Sequence, residues 1–280
     1  MRSTCTVSVS KSPGSTVHQL LRPLVGFATR TSICAGWTSH TTVPRTDNHD
    51  LGDELTAESS NATAWEAYGR HHVHRRTALE ELDRFDWGWW GTGPGAEVLG
   101  DVTGKRVLDL GCGTGRHAAH LVREHGAVVD AIDSSPSQHA RARSRYPDLA
   151  GLRLVLADAV DHLAHADPYD VIYSMHGLTY LDPHRVLPAL ADGLKPGGLL
   201  CFTTLHTNSA GHGPSTTVAP RPEVLPLAGG KAQTVQMWVL TTQLWESLLD
   251  EHGLLVERVD TLDAPSDDNA VSYRLFQARR

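Results

Sequence analysis

Cysteine is scarce in this chain, and its four residues (Cys5, Cys34, Cys112 and Cys201) show no metal-ligand spacing. A zinc ribbon or a disulfide-stapled scaffold is therefore excluded, and a reduced, cytoplasmic setting is expected. Long apolar runs are missing too: none approaches the ~18 residues that a membrane span requires. Positive charge is in deficit, with 32 acidic against 25 basic side chains and a formal net charge of −7. That balance argues against a general nucleic-acid or membrane surface. Acidic residues are absent before Asp47. Residues 1–60 are dominated by Ser and Thr and lack apolar periodicity, so they read as a disordered leader with too little apolar surface to offset ordering entropy. An Arg- and Ser-rich, acid-poor start is also how a transit peptide looks, but Pro13, Pro23 and Gly26 interrupt any long amphipathic helix.

What is present is enough hydrophobic residue, 40% of the chain, to bury the core of one α/β domain. That domain is organised around Arg106–Gly115, Arg-Val-Leu-Asp-Leu-Gly-Cys-Gly-Thr-Gly. Val107, Leu108 and Leu110 form the short apolar run of a buried strand. Glycines at 111, 113 and 115 follow. A helical pattern then begins, with Ala118, Leu121 and Val122 on one face and Gly126 as a stop. Strand, glycine turn and helix let backbone approach a ligand closely and leave helix N–H groups facing an anion. A phosphate-binding P-loop is excluded, because no Gly-Lys-Ser/Thr follows. The G-x-G-x-x-G dinucleotide spacing fails from Gly111, where Arg116 takes the last glycine's place; from Gly113 it ends on Ala118, which is allowed there but shifts the glycines two residues into the helix.

An acid inside the strand, Asp109, followed by G-x-G-x-G, resembles motif I of class I, Rossmann-like S-adenosylmethionine-dependent methyltransferases. Val-Leu-Asp-Leu-Gly-Cys-Gly-Thr-Gly matches it at every position. A second hallmark of that family stands in Leu194-Lys195-Pro196-Gly197-Gly198-Leu199-Leu200, ahead of an apolar strand. The specific motifs lie within 106–204, and the resemblance extends over roughly 62–280. It implies a doubly wound, seven-stranded, mostly parallel sheet in the order 3-2-1-4-5-7-6, with an N-terminal helical cap over 61–100. It also implies S-adenosylmethionine as cofactor, S-adenosylhomocysteine as product and a small-molecule acceptor. The cofactor set it implies is Asp109, Gly111, Cys112, Gly113, Gly115, Asp133, Ser134, Gln138, Asp158, Ala159 and Ser174. Within that set Asp158 contacts the adenine amino group.

The order of elements agrees. A helix begins near Asn61 as cap and runs to about Phe85, with Trp65, Tyr68 and His72 on one face; Trp65 and Tyr68, with Tyr180, are the expected substrate contacts. Its His71, His74, Arg75 and Arg76 read as a solvated basic face, since His71 and His74 have no third metal ligand nearby. Phe85-Asp86-Trp87-Gly88-Trp89-Trp90 is a dense aromatic cluster, either core or cover of the cofactor pocket. Strands follow at 127–133, 152–156 and 169–174. Asp133, 22 residues past Gly111, is placed to accept from ribose hydroxyls, a role common to NAD and S-adenosylmethionine proteins. Asp130, mid-strand, reads as a tolerated polar position. Ser135 and Pro136 are N-cap and first residue of the next helix. A helix over 186–194, a turn at Lys195–Gly198 and a fifth strand at 199–204 come next. The Gly-, Pro-, Ser- and Thr-rich stretch 206–236 reads as an irregular substrate lid. A helix at 242–251 and strands at 254–259 and 271–278 close the chain.

Methyl transfer by in-line displacement does not demand a catalytic residue. If a proton must be removed, the candidate bases are His176 and His206, each beyond the C-terminal end of a central strand, where open α/β sheets bind ligands; His212 lies deeper in the lid. The fourth strand is not followed by Asn/Asp-Pro-Pro-Tyr, which the nucleic-acid amine methyltransferases carry there. That absence and the acidic balance point to a small molecule rather than nucleic acid or membrane, and the sequence leaves oligomeric state open. Two competing readings remain: a cofactor-binding subunit without methyl transfer, and an NAD-dependent oxidoreductase, disfavoured by Arg116 and the Lys-Pro-Gly-Gly turn.

Overall fold

The computed structural model describes residues 56–280, except 78, 89, 228, 230 and 267. The leader expectation falls almost wholly on residues 1–55, outside the described residues.

Five parallel strands alternate with helices in the first part of the domain. They are β1 (Arg106–Leu110), β2 (Val128–Asp133), β3 (Leu152–Leu156), β4 (Tyr169–Ser174) and β5 (Leu194–Thr207). The helices are α2 (Arg116–His125), α3 (Pro136–Arg145), α4 (Ala159–Leu163) and α5 (Pro183–Gly193), preceded by α1 (Ala57–His74). A hairpin, β6 (Arg221–Pro226) and β7 (Ala232–Met237), leads to α6 (Thr242–Asp250) and then to β8 (Leu255–Asp263) and β9 (Ser272–Arg279). The large sheet runs β3-β2-β1-β4-β5-β9-β8, with β9 antiparallel to both neighbours. Leaving the hairpin out of the numbering, this is the expected 3-2-1-4-5-7-6 order.

Period-two alternation along β1 divides its side chains between two cores. Leu108 and Leu110 pack with Ile172, Phe202 and the inner faces of α5 and α6. Val107 packs on the other side with Ala118 and Leu121 of α2, and with Val129, Tyr173, Phe85 and Trp87. Phe85 and Trp87 of the aromatic cluster are thus core on this side of the sheet. Trp87 is fully buried, and its Nε1 donates to Gly95 O at 2.9 Å, so the indole polar group is satisfied.

Several boundaries differ from the sequence reading, each for a physical reason. Thr56, not Asn61, caps α1, its hydroxyl accepting from Ser59 N at 3.2 Å. The helix ends at His74, because Arg76 takes a positive φ of 50°. Asn61 lies inside the helix and is nearly fully buried: Nδ2 donates to Tyr180 O and Gln236 O, and Oδ1 accepts from Gln236 N. One amide side chain therefore ties α1 to β7 and to the segment after β4. The Lys195–Gly198 turn is an irregularity at the start of β5, where the four residues 195–198 oppose the single Asp170 of β4. The 206–236 stretch is irregular only as far as residue 220; beyond it β6 and β7 pair over six registered residues. Asp130 is more than a tolerated polar residue. It accepts from Arg153 Nε and Nη2 (2.7 and 2.8 Å), Arg106 Nη2 (2.9 Å) and Tyr169 OH (2.7 Å). Burial opposes its charge, yet these donors bring its pKa down to about 2, so it ties β1, β2, β3 and β4 together as a fixed anion.

Candidate cofactor and acceptor site

The C-terminal ends of β1, β2 and β4 open into a cavity of about 590 Å³, roofed by α1 and the hairpin. One half is built on the glycine turn. Gly111 N and Cys112 N donate to Ile132 O at 3.0 and 2.9 Å, folding the turn onto β2. Gly113 N donates to Asp133 Oδ2 at 2.8 Å, and Ser135 N to Oδ1 at 2.8 Å. The Asp133 carboxylate is thereby fixed, with its remaining lone pairs available to a ligand hydroxyl. Gly111 has φ +76°, and a Cβ there would stand 3.1 Å from Gly177 Cα. The β1 and β4 loops meet backbone to backbone, which only glycine at both places allows.

Beneath the turn lies Asp109. Its burial, helped by the nearby Asp133 charge, pushes its pKa up to about 7 against the opposing pull of the Tyr173 phenol and the Ala118 amide. Burial raises Asp133 as well and drives the Cys112 thiol well up. Cys112 is therefore a neutral wall, not a nucleophile.

The remaining members of the expected cofactor set fall into two groups. Ser134, Gln138, Asp158 and Ala159 line the cavity. Ser174 and Gly115 do not: Ser174 is fully buried behind the turn, donating to Leu110 O and accepting from Leu178 N, both at 2.8 Å, and Gly115 is buried at the start of α2, facing Leu154, Ala142 and Tyr146. Asp158 caps α4 through Val160 N and Asp161 N and also receives Arg185 in bidentate fashion (2.7 and 3.2 Å). Arg185 reaches on to Glu58 of α1 at 3.1 Å. Farther along α1, Glu66 accepts from Ser137 N (2.8 Å) and Ser135 Oγ (3.0 Å) at the start of α3. Burial works against that carboxylate's charge, but these donors and Arg70 bring its pKa down to about 2. The cap helix is thus pinned by charge at two places.

The other half of the cavity is aromatic. Trp65 stands edge-on to Tyr68 and Tyr180, with ring centroids 5.1 and 5.2 Å away. Tyr273, which sequence reasoning missed, lies 4.4 Å from the His176 ring. Burial raises the phenol of Tyr273 to about 12 and that of Tyr180 further, so both are hydrogen-bond donors at neutral pH. Glu223 of β6 lines the far wall, ion-paired with Arg221 and accepting from Asn208 Nδ2.

The two candidate bases part company. His176 lines the cavity at φ +59°, its amide donating to Thr203 Oγ1 at 3.1 Å and its Nδ1 3.3 Å from the same hydroxyl. Burial and the neighbouring His117 lower its pKa to about 3, opposed by a bond with the Trp87 backbone. His206 is absent from the cavity wall. The pairing of β5 with β9 slips between Leu205 and Thr207, so His206 is the extra residue of a β-bulge and is aimed away from the site. Its Nδ1 meets Thr207 Oγ1, and burial followed by the Arg274 charge lowers its pKa. His212 also lies outside the cavity lining. Gly177 and Tyr273 were legible only as a Gly after a His at a strand end and as an aromatic in a terminal strand, signals too common to single out.

Comparison with known proteins agrees with this geometry. Residues 107–198 match a family described as a methyltransferase domain. The chain is 35% identical over 159 residues to a ubiquinone biosynthesis O-methyltransferase of Cronobacter sakazakii, covering 49% of this chain and 65% of that one. A similar enzyme of Salmonella arizonae is covered over 48% of its length, so the chain spans about half to two thirds of the curated relatives it matches. Among solved structures, a putative S-adenosylmethionine dependent methyltransferase from Listeria monocytogenes aligns with a TM-score of 0.53 at 22% identity, over 66% of this chain and 94% of that one. Motif I thus stands intact, on the expected sheet order, inside the segment that matches a methyltransferase domain.

Proposed function

We propose that this chain transfers the methyl group of S-adenosylmethionine to a nucleophilic oxygen, nitrogen, carbon or sulfur of a small-molecule acceptor, in the cytoplasm. The observation that carries the reading is one cavity with two chemically distinct halves: a glycine cradle with buried acids, and an aromatic chamber facing it. The cradle fits the cofactor. A carboxylate with both oxygens held by backbone amides suits ribose hydroxyls, and the backbone contact at Gly111 keeps the turn free of side chains. Bound there, the cofactor supplies a methyl group on a sulfonium, ready for in-line displacement. The chain's part is to hold the acceptor in line, worth roughly 7–11 kcal/mol, and to exclude water beneath Trp65, Tyr68 and the hairpin.

His176 contributes position rather than basicity. With its ring held by Thr203 and the Trp87 backbone and its pKa near 3, it stays neutral throughout the working range. For a hydroxyl acceptor, His176→Gln is expected to lower kcat by less than about tenfold, whereas a general base would cost about 10²–10⁴. A loss of the larger size, measured with cofactor saturating, would restore the base role.

Calorimetry with S-adenosylmethionine, S-adenosylhomocysteine and NAD tests the cofactor directly; binding of NAD alone would overturn the proposal. Asp133→Ala removes the carboxylate that fixes the turn and faces the ligand, so S-adenosylhomocysteine should bind at least about tenfold more weakly. Unchanged affinity would refute the placement. Binding without turnover on any acceptor would favour the regulatory-subunit reading.

A further inference from the structure

The cavity wall carries two permanently charged cations among the described residues, Arg116 and Arg141. They differ in what surrounds them. Arg116 Nη1 donates to Glu80 O at 3.0 Å, and the carboxylates of Glu80 and Glu81 lie in its field. Arg141, on the second turn of α3, has only neutral partners: Nη1 donates to Gln138 Oε1 at 2.6 Å, with the Tyr68 phenol nearby. No carboxylate lies within ion-pair distance of it among the described residues. Its neighbour Arg145, one turn on, pairs with Glu81 at 2.9 Å, and Arg153 takes Asp130. Arg141 is half-buried, and burial lowers its hold on the proton. A desolvated guanidinium without a counter-ion is costly. On a cavity wall, such a group is arranged to meet an anion that arrives from outside.

The position narrows the anion down. Gln138, which Arg141 holds, presents Nε2 3.5 Å from where a Cβ would stand on Gly113. Arg141 therefore sits one side chain away from the glycine cradle, on the same side of the cavity as Tyr68 and His72 of α1. The carboxylates that touch the cradle, Asp109 and Asp133, repel an anionic ligand group, so a zwitterionic ligand needs a separate cation for its carboxylate. We infer that Arg141, steadied by Gln138, is the anchor for the carboxylate of the cofactor's amino-acid end. This inference rests on the cofactor assignment above and adds to it a residue outside the glycine turn.

A pair of ligands separates the carboxylate from the rest. S-adenosylhomocysteine carries the amino-acid end; 5′-methylthioadenosine keeps the adenosine and sulfur but lacks the carboxylate and amine. Calorimetry on the full chain and on Arg141→Gln should show S-adenosylhomocysteine weakened by about tenfold or more, as for a lost charge-assisted bond. The nucleoside should change by less than roughly twofold. Arg141→Lys should recover part of the loss, since it keeps the charge but not the fork. Thermal melting without ligand should be alike for all three proteins. Equal weakening of both ligands overturns the proposal, because the residue would then shape the pocket rather than bind the carboxylate. No weakening of either also overturns it and hands the guanidinium to an anionic acceptor. Failure of the unaltered chain to bind either nucleoside refutes the cofactor assignment itself, a result distinct from the other two.

Discussion

Gly177→Ala is expected to destabilise the fold by about 1–3 kcal/mol, as overpacking of a tight site does, and to weaken S-adenosylhomocysteine binding by tenfold or more on the same scale. The cost is steric, not conformational. Gly177 has φ −78° and ψ −41°, which alanine adopts freely. Its Cβ, however, would stand 2.7 Å from Leu110 O, 2.9 Å from Ser174 Oγ and 3.2 Å from Gly111 Cα. Two of those three neighbours are backbone and cannot rotate away. The loops after β1 and β4 must separate, and the glycine cradle opens with them. Gly213→Ala is the matched control, since a Cβ there meets nothing within 4 Å. The two variants are compared by thermal melting and by calorimetry. Equal behaviour would mean that the loop contact is slack and the cradle does not depend on it.

What the sequence made legible follows the physics of burial. β3 and β4 are apolar runs with branched residues between polar turns, and they stand where the pattern put them, at 152–156 and 169–174. The glycine turn was readable because positive φ at alternate positions has few other chemical solutions. The hairpin was not. Arg221-Pro-Glu-Val-Leu-Pro carries two prolines, which ordinarily demote a strand. Here Pro222 and Pro226 both lie exposed in a two-stranded ribbon, where a missing N–H is tolerated. The start of α1 was misplaced because Asn61 looks like a cap in sequence, and only tertiary partners on β7 and Tyr180 explain a buried Asn inside a helix. His206 reads from the sequence as lying beyond the end of a strand at 199–204, but β5 runs on to Thr207 and one bulge turns the imidazole away. The charges at Glu66, Asp130 and Arg141 take their meaning from partners distant in the chain, or from the lack of one, and no local spacing encodes that.

Asp109 supplies the second large effect, through pH. In the unfolded chain its carboxyl titrates at about 3.9; in the fold, burial first and the Asp133 charge next hold it near 7. Between those values the native state binds more protons than the unfolded state, so stability falls as pH rises through this window. It is highest below about pH 4 for this group and fully lost above about 7, a difference on the order of 4 kcal/mol. A ligand that sets its ammonium group near the ionised carboxylate has the opposite preference, and both S-adenosylmethionine and S-adenosylhomocysteine carry that ammonium. Cofactor affinity should therefore be flat above pH 7 and fall by up to tenfold per unit below it, about thirtyfold by pH 5.5. Asp133, also raised by burial, acts in the same direction. Asp109→Asn removes the titration: the variant should melt higher than the unaltered chain at pH 8, bind S-adenosylhomocysteine more weakly there, and lose most of the pH dependence of binding. Calorimetry and melting from pH 5.5 to 8.5 follow both quantities on the same samples. If affinity in the unaltered chain is independent of pH across that range, Asp109 is ionised or protonated throughout, and the buried acid does not govern cofactor capture.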